Sequence, residues 1–207
     1  VALTSMGLNM GYLILNVVDN NNIYLTGFFV MIMSTILGMG VPGVAAYVIV
    51  QAVAVPVLID AGTLPLTSHL FCLIYACLSN ITPPVAISAY VASGIAGSDQ
   101  TKTGLWAMRL GIIGFIIPFF FLDNPVLLVG VDPHATSVAT LWAVFTALLG
   151  TAGLVAGLEG WLLRRCNLLE RVVLIALAPL LLYPGYMTDA IGIAVFVALI
   201  AWQWMKK

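Results

Sequence analysis

Runs of apolar residues, several of them close to the length of a bilayer-spanning helix, follow one another along almost the whole chain. A helix needs about 20 apolar residues to cross the hydrocarbon core of a membrane. Only 7% of the 207 residues are charged, whereas soluble domains carry about 25%. We therefore predict an all-α membrane protein surrounded by the lipid bilayer. The sequence predicts no nucleic-acid partner, because it has no basic patch to neutralise phosphates.

Short polar breaks divide the chain into predicted membrane segments. The chain begins at Val1 inside an apolar stretch, without the basic flank and cleavage site of a signal peptide. We therefore expect it to be a piece of a longer membrane protein. The predicted apolar segments are 1–18, 23–59, 70–96, 105–122, 136–158, 172–187 and 190–205.

The positions of the charges predict the topology, because cytoplasmic loops are enriched in Lys and Arg. We place Lys206 and Lys207 in the cytoplasm and count crossings backward, with segment 23–59 entering and leaving on one face. Every Lys and Arg then falls on the cytoplasmic side, which Arg109 reaches from the start of its span. The opposite side receives Asp19, Asp60, Asp123, Asp132 and Asp189.

Two breaks place Gly or Pro in the middle of apolar sequence. The first, GMGVPG at 38–43, divides segment 23–59 into halves of about 16 residues, shorter than a span of about 20. This pattern predicts a re-entrant helical hairpin with its tip inside the bilayer. The second break, NITPP at 80–84, predicts a broken helix over 70–96. Irregular backbone at membrane depth is tolerated only where protein buries it or where it lines a polar cavity.

The residues of these breaks are therefore candidates for binding. Prolines lack an amide donor and free the carbonyls that they would otherwise satisfy. Neutral oxygen ligands of this kind suit a sodium ion, and discontinuous helices hold coupling ions in secondary transporters. The sodium candidates are Gly40, Asn80 and Thr82, and sodium is the only ion or cofactor expected. The full set of ion- or substrate-binding candidates is Gly38, Met39, Gly40, Pro42, Gly43, Asn80, Ile81, Thr82, Pro83 and Pro84.

Other classes of site find no support in the sequence. His69 and His134 fall in predicted outer loops, and neither has a second ligand at metal-binding spacing. The chain contains no hydrolase motif and no phosphate-binding glycine loop. We therefore predict that the protein is not an enzyme.

Three stretches of the chain resemble a known family. They are LGMGVPGVAAYVIVQAVAVPVLIDAG (37–62), HLFCLIYACLSNITPPVAISAYVASGIAGSD (69–99) and MRLGIIGFIIPFFFLDNPVLL (108–128). All three resemble the large membrane subunit of tripartite ATP-independent periplasmic (TRAP) transporters. The tail GLEGWLLRRCNLLERVVLIALAPLLLYPGYMTDAIG (157–192) is similar to that of fused permeases that work with TAXI-type solute-binding proteins.

The resemblance implies that the chain is the C-terminal part of an elevator-type transporter of the bacterial inner membrane. A mobile domain would carry a small organic anion, delivered by a periplasmic TAXI-type binding protein, together with sodium. Residues 1–128 would be the second-repeat part of that domain, and 129–207 would be scaffold or accessory helices. Its elements would be the hairpin 23–59, the broken helix 70–96 and the span 105–122. Many relatives carry a Thr pair after the tip proline where this chain reads VPGVAAY, which implies a larger role for backbone carbonyls.

Two alternatives remain open on the residues alone. Neutral oxygen ligands do not by themselves distinguish sodium, so a proton-coupled or ion-exchanging transporter of similar elevator fold is one alternative. A membrane scaffold subunit without a transport role is the other.

Overall fold

The computed structural model of the protein is helical throughout its regular elements and forms two compact units, 1–123 and 124–207. No β-strand occurs in the part of the chain that is described, which confirms the all-α prediction there. The predicted first segment, 1–18, lies outside this part, as do His134, Lys206 and Lys207. The described residues are 22–123, 125–128, 130–131, 136–183 and 185–205.

The first unit contains six α-helices and one 3₁₀ turn in its described residues. They are α1 (Ile23–Gly38), α2 (Gly43–Asp60), α3 (Pro65–Leu78), the 3₁₀ turn Ser79–Ile81, α4 (Ile87–Ala96), α5 (Gln100–Leu110) and α6 (Ile112–Asp123). The second unit contains the 3₁₀ turn Pro125–Leu127, α7 (Ser137–Glu159), α8 (Leu168–Leu182) and α9 (Tyr186–Met205).

Four stretches of helix in the described residues are long and apolar enough to cross a membrane. They are Gly43–Asp60, Gln100–Leu122, Ser137–Glu159 and Met187–Met205. The apolar helices Ile23–Gly38, Pro65–Ile81 and Ile87–Ala96 are shorter.

Three polar segments that the sequence assigns to loops are partly helical. Asp99 accepts a hydrogen bond from the Lys102 amide at 2.8 Å, and this cap starts α5 inside the predicted loop 97–104. Pro65 starts α3 early, since proline is well tolerated in a first helical turn. His69 therefore lies in α3 and not in an outer loop. Asp189 lies in α9 and not between two spans.

Aromatic packing joins α3 to α6 in the first unit. Phe71 and Tyr75 on α3 are fully buried, and their ring centroids lie 4.6 Å apart. Phe119 on α6 makes an edge contact with Phe71 at 5.5 Å. The Tyr75 hydroxyl donates to the Phe115 carbonyl at 2.7 Å. These contacts hold the last turns of α3 in place, directly before the helix is interrupted.

Glycines allow a close approach of α7 and α8 in the second unit. A Cβ atom at Gly157 would lie 2.8 Å from Ile175 and 3.1 Å from the Arg171 carbonyl. A Cβ atom at Gly150 would lie 3.0 Å from the Cβ of Leu181. Small residues at such positions bring helix backbones together, which is how apolar helices associate without a hydrophobic driving force.

Candidate functional site

The two breaks predicted from the sequence lie against each other in the first unit. A Cβ atom at Gly38 would lie 2.7 Å from the Ser79 hydroxyl and 3.1 Å from the Ala76 carbonyl. A Cβ atom at Gly43 would lie 3.2 Å from the Cys77 sulfur. The connection between α1 and α2 therefore packs on the last turn of α3 and the 3₁₀ turn that follows it.

The connection between α1 and α2 is short and needs glycine. Gly40 has φ +84°, in the left-handed region that side chains rarely adopt. Met39 caps the end of α1, and its amide donates to the Ile36 carbonyl at 3.3 Å. Pro42 is the N-cap of α2, and its carbonyl accepts from the Ala46 amide at 2.8 Å. The predicted tip thus forms a tight turn with Gly40 and Pro42 exposed.

The helix that begins with α3 is interrupted where the sequence predicts. Thr82 leaves the helical conformation with φ −98° and ψ 120°, and α4 begins only at Ile87. Pro83 and Pro84 carry no amide hydrogen, so they cannot continue the helical hydrogen bonds. In a continuous helix the amide of residue 84 would bond the Asn80 carbonyl. No hydrogen bond from a described residue reaches that carbonyl or the carbonyl of Ile81.

The side chains of the break keep their acceptor oxygens available. The Thr82 hydroxyl donates to the Leu78 carbonyl at 2.7 Å, which leaves its lone pairs without a described donor. The Asn80 amide nitrogen donates to the Cys77 carbonyl at 3.3 Å, and no described residue donates to its amide oxygen. Thr82 is buried and Asn80 is half-buried. The break therefore carries several neutral oxygen acceptors within three consecutive residues, 80–82.

Several residues of this region have no clear signal in the sequence. Ser79 is fully buried, and its hydroxyl donates to the Ala76 carbonyl at 2.6 Å beneath the tip. Ala86, the N-cap of α4, has φ +30°, a strained conformation for a residue with a side chain. The Tyr90 hydroxyl donates to the Pro84 carbonyl at 2.7 Å. In the sequence, the one indication that Ser79 belongs to this region is its polar side chain within an apolar run.

The helices α5 and α6 pack against the break at 80–84 and the residues that follow it. A Cβ atom at Gly111, which separates the two helices, would lie 2.6 Å from the end of the Ile81 side chain. A Cβ atom at Gly104 would lie 3.2 Å from the Tyr90 ring. The segment 100–123 therefore contacts residues in the 3₁₀ turn and after the prolines.

The candidate site contains no charged side chain among its predicted residues. In the described ranges, no group of three or more His, Cys, Asp or Glu is placed to hold a metal ion. His69 on α3 contacts the Tyr47 hydroxyl on α2, with 2.8 Å between the hydroxyl and Nδ1. The candidate residues thus offer carbonyl, hydroxyl and amide oxygens and no carboxylate.

A second polar cluster lies in the second unit, where the Glu170 carboxylate is buried. It accepts from the Asn167 amide at 3.0 Å, from Arg164 at 3.0 Å and from the Gln203 amide nitrogen at 2.9 Å. The Asn167 hydrogen bond, with those of Gln203 and Arg164 and the charge of Arg164, lowers the pKa of Glu170. Arg171 donates to the Gly157 carbonyl at 2.9 Å and caps α7. These bonds tie the 160–167 connection to α9.

Comparison with known proteins gives one match. A family model described as "Tripartite ATP-independent periplasmic transporter, DctM component" matches residues 1–132, which include both breaks. No curated protein and no solved structure matches the chain.

Proposed function

The chain belongs to the DctM family of tripartite ATP-independent periplasmic transporters, and from this premise we propose that it forms part of a sodium-coupled permease for a small organic anion. The family consists of membrane permease components and not of enzymes, and the four membrane-length helices agree with a multi-pass membrane protein. The observation that carries the proposal is the contact of the Gly38–Gly43 connection with the interrupted helix, whose carbonyls at Asn80 and Ile81 lack described donors.

In this proposal, sodium binds between the two breaks. Thr82 supplies its hydroxyl, Asn80 its amide oxygen or carbonyl, and Gly40 its carbonyl. Na⁺ is a hard cation that prefers such neutral oxygens, and discontinuous membrane helices provide them in other secondary transporters. The absence of a carboxylate among the predicted site residues favours a weakly held ion, which a transporter must also release.

The substrate anion is proposed to bind beside the sodium ion. Two helices begin at the breaks, α2 at Gly43 and α4 at Ile87. The N-terminus of a helix carries a partial positive charge and unpaired amides, which attract anions. A carboxylate at these ends would be stabilised further by the neighbouring cation, and this coupling would explain why the two solutes move together.

The membrane arrangement belongs to the same proposal. We propose that α1 and α2 form a re-entrant hairpin, with both outer ends on the periplasmic face and the tip in the bilayer. The first unit would move as part of an elevator-type transport domain in a bacterial inner membrane. A periplasmic TAXI-type binding protein would deliver the anion. The family match and the likeness of the 157–192 tail to TAXI-associated permeases support this arrangement.

Uptake measurements on the complete permease that contains this chain test the proposal. Proteoliposomes with the cognate binding protein should accumulate a radiolabelled organic anion under an inward sodium gradient and not when choline replaces sodium. Uptake that is equal in choline would contradict sodium coupling. Uptake driven by a proton gradient alone would establish the proton-coupled alternative.

A matched pair of threonine variants tests the ion site itself. Thr82 and Thr35 are each 8% exposed, and each hydroxyl donates to the carbonyl four residues earlier. Thr82→Val should raise the sodium concentration at half-maximal uptake by up to about tenfold, equivalent to about 1.4 kcal/mol. Thr35→Val should leave that concentration unchanged, because Thr35 lies within α1 and has no ligand role in the proposal. An equal effect of the two variants would assign Thr82 to packing alone.

A further inference from the structure

A buried carboxyl group lies apart from the proposed transport site, in the second unit. Asp189 on α9 is 1% exposed and falls inside the membrane-length stretch Met187–Met205. Its Oδ2 accepts a hydrogen bond from the Trp142 indole nitrogen on α7 at 2.8 Å. Its Oδ1 is buried, and no described residue donates to it. An ionisable side chain within a membrane segment is expensive to bury and commonly marks a functional position.

No described cation of the second unit compensates a negative charge on Asp189. Arg164 pairs with Glu170, and Arg171 caps α7. These groups lie at the other end of α9, where Gln203 contacts Glu170. Gln203 follows Asp189 by 14 residues, which is about 21 Å along a helix. The charged and titratable groups described on the neighbouring helices and connections are Glu159 on α7, Arg164, Arg165 and Cys166 before α8, Glu170 and Arg171 on α8, and Tyr183 after α8.

Glu170 shows what a buried carboxylate in this unit requires. Its two oxygens accept from a backbone amide, a guanidinium group and a side-chain amide. Asp189 is at least as buried and has a single described donor, which is neutral. A buried carboxylate without a counter-charge costs several kcal/mol, and a proton removes most of that cost.

The hydrogen bond from Trp142 to Oδ2 favours Oδ1 as the oxygen that takes the proton, because the carbonyl oxygen of a carboxylic acid accepts better than its hydroxyl oxygen. An indole N–H can only donate, so Oδ2 must act as an acceptor. We propose that Oδ1 of Asp189 binds a proton, so that the side chain is a neutral carboxylic acid that joins α9 to α7 through Trp142. An apolar surrounding can keep a carboxylic acid neutral at physiological pH. The sodium site proposed in the first unit does not enter this inference.

Infrared spectroscopy of the full chain in liposomes tests the inference. At about pH 7, an ordinary Asp with a pKa of about 3.9 is ionised and gives no carboxylic-acid C=O band. The wild-type chain should show the band of one protonated carboxyl group, and Asp189→Asn should remove it. Glu170→Gln is the matched control and should leave the band in place, because Arg164 and two amides hold Glu170 ionised. Trp142→Phe should move the band to higher frequency, because Oδ2 loses its hydrogen bond.

Each result of the infrared experiment either supports or overturns the protonation of Asp189. Absence of the band in the wild-type chain, or its survival in Asp189→Asn, overturns the inference. A band that appears only when choline replaces sodium also overturns it, because the site would then bind sodium and not a proton. Where Asp189→Asn fails to insert into liposomes, the shift of the band in Trp142→Phe decides, and an unshifted band counts against Asp189.

Discussion

At Gly38 the end of α1 meets the interrupted helix without room for a side chain. A Cβ atom there would lie 2.7 Å from the Ser79 hydroxyl and 3.1 Å from the Ala76 carbonyl. The backbone carbonyl of a helix cannot move aside as a flexible side chain can. The position of the tip relative to the break therefore depends on the absence of one methyl group.

We expect Gly38→Ala to lower both stability and transport. Overpacking of this kind costs about 1–3 kcal/mol, which should appear as a lower unfolding temperature of the purified permease in detergent. Gly38→Ala combined with Ser79→Ala should recover part of the loss, because the closest clashing atom is removed. Gly94→Ala is the control, because a Cβ atom at Gly94 meets nothing within 4 Å. Equal stability of the Gly38 and Gly94 variants would contradict the packing described for the tip.

At the scale of elements, the sequence does not predict that the α5–α6 pair contacts the break at 80–84. The predicted span 105–122 is helical from Gln100 and is interrupted at Gly111. The Gly111 interruption lies beside Ile81, whose own carbonyl lacks a described donor. The one-residue interruption at Gly111 thus contacts a side chain of the 3₁₀ turn that precedes the 80–84 prolines.

We expect Gly111→Ala to weaken sodium-dependent uptake by displacing Ile81. The new Cβ atom would lie 2.6 Å from Cδ1 of Ile81. Since valine lacks that atom, Ile81→Val combined with Gly111→Ala should restore the sodium concentration at half-maximal uptake toward the wild-type value. Failure of the double variant to recover, with Gly111→Ala impaired, would place the effect in the α5–α6 backbone and not at the break.

The connection between α7 and α8 depends on Glu170, and its stability should depend on pH. The pKa of Glu170 is lower in the folded protein than its usual value. Its stabilising effect is therefore complete above the unfolded-state pKa of about 4.3. The effect is lost as the pH falls through the lower folded-state pKa. Glu170→Gln should remove this part of the acid dependence in thermal unfolding of the chain. An unchanged acid profile in that variant would contradict the role of Glu170.

For the whole molecule, the arrangement of charges predicts which connections face the cytoplasm. Lys102 lies in the first turn of α5, directly after the 97–99 connection, and the 61–64 connection carries no Lys or Arg. If the interrupted helix α3–α4 crosses the membrane, the two connections lie on opposite faces.

Cysteine labelling in intact cells checks this topology. In a chain whose native cysteines are replaced by serine, Leu64→Cys should react with a membrane-impermeant thiol reagent added outside the inner membrane. Thr101→Cys should react only after the membrane is opened. Both positions are exposed in the structure, so burial does not explain a difference. Reaction of both from outside would mean that the interrupted helix does not cross.

Composition and the length of the apolar runs were enough to predict a helical membrane protein, because lipid admits few other structures for such a chain. The breaks at 38–43 and 80–84 can also be predicted from the sequence, since glycine and proline alter backbone geometry wherever they occur. The sequence pattern predicts later starts for α3 and α5 than the structure has. Proline in a first turn and an aspartate cap extend helices into segments that composition alone assigns to loops.

The sequence by itself thus determined the helical membrane class of the protein and the two breaks at 38–43 and 80–84. Tertiary structure decided that the tip lies on Ser79, that Gly111 contacts Ile81 and that Asp189 is buried against Trp142. These contacts join residues that are far apart in the chain. Their formation depends on how whole helices pack, whereas a helix or its interruption follows from the local properties of neighbouring residues.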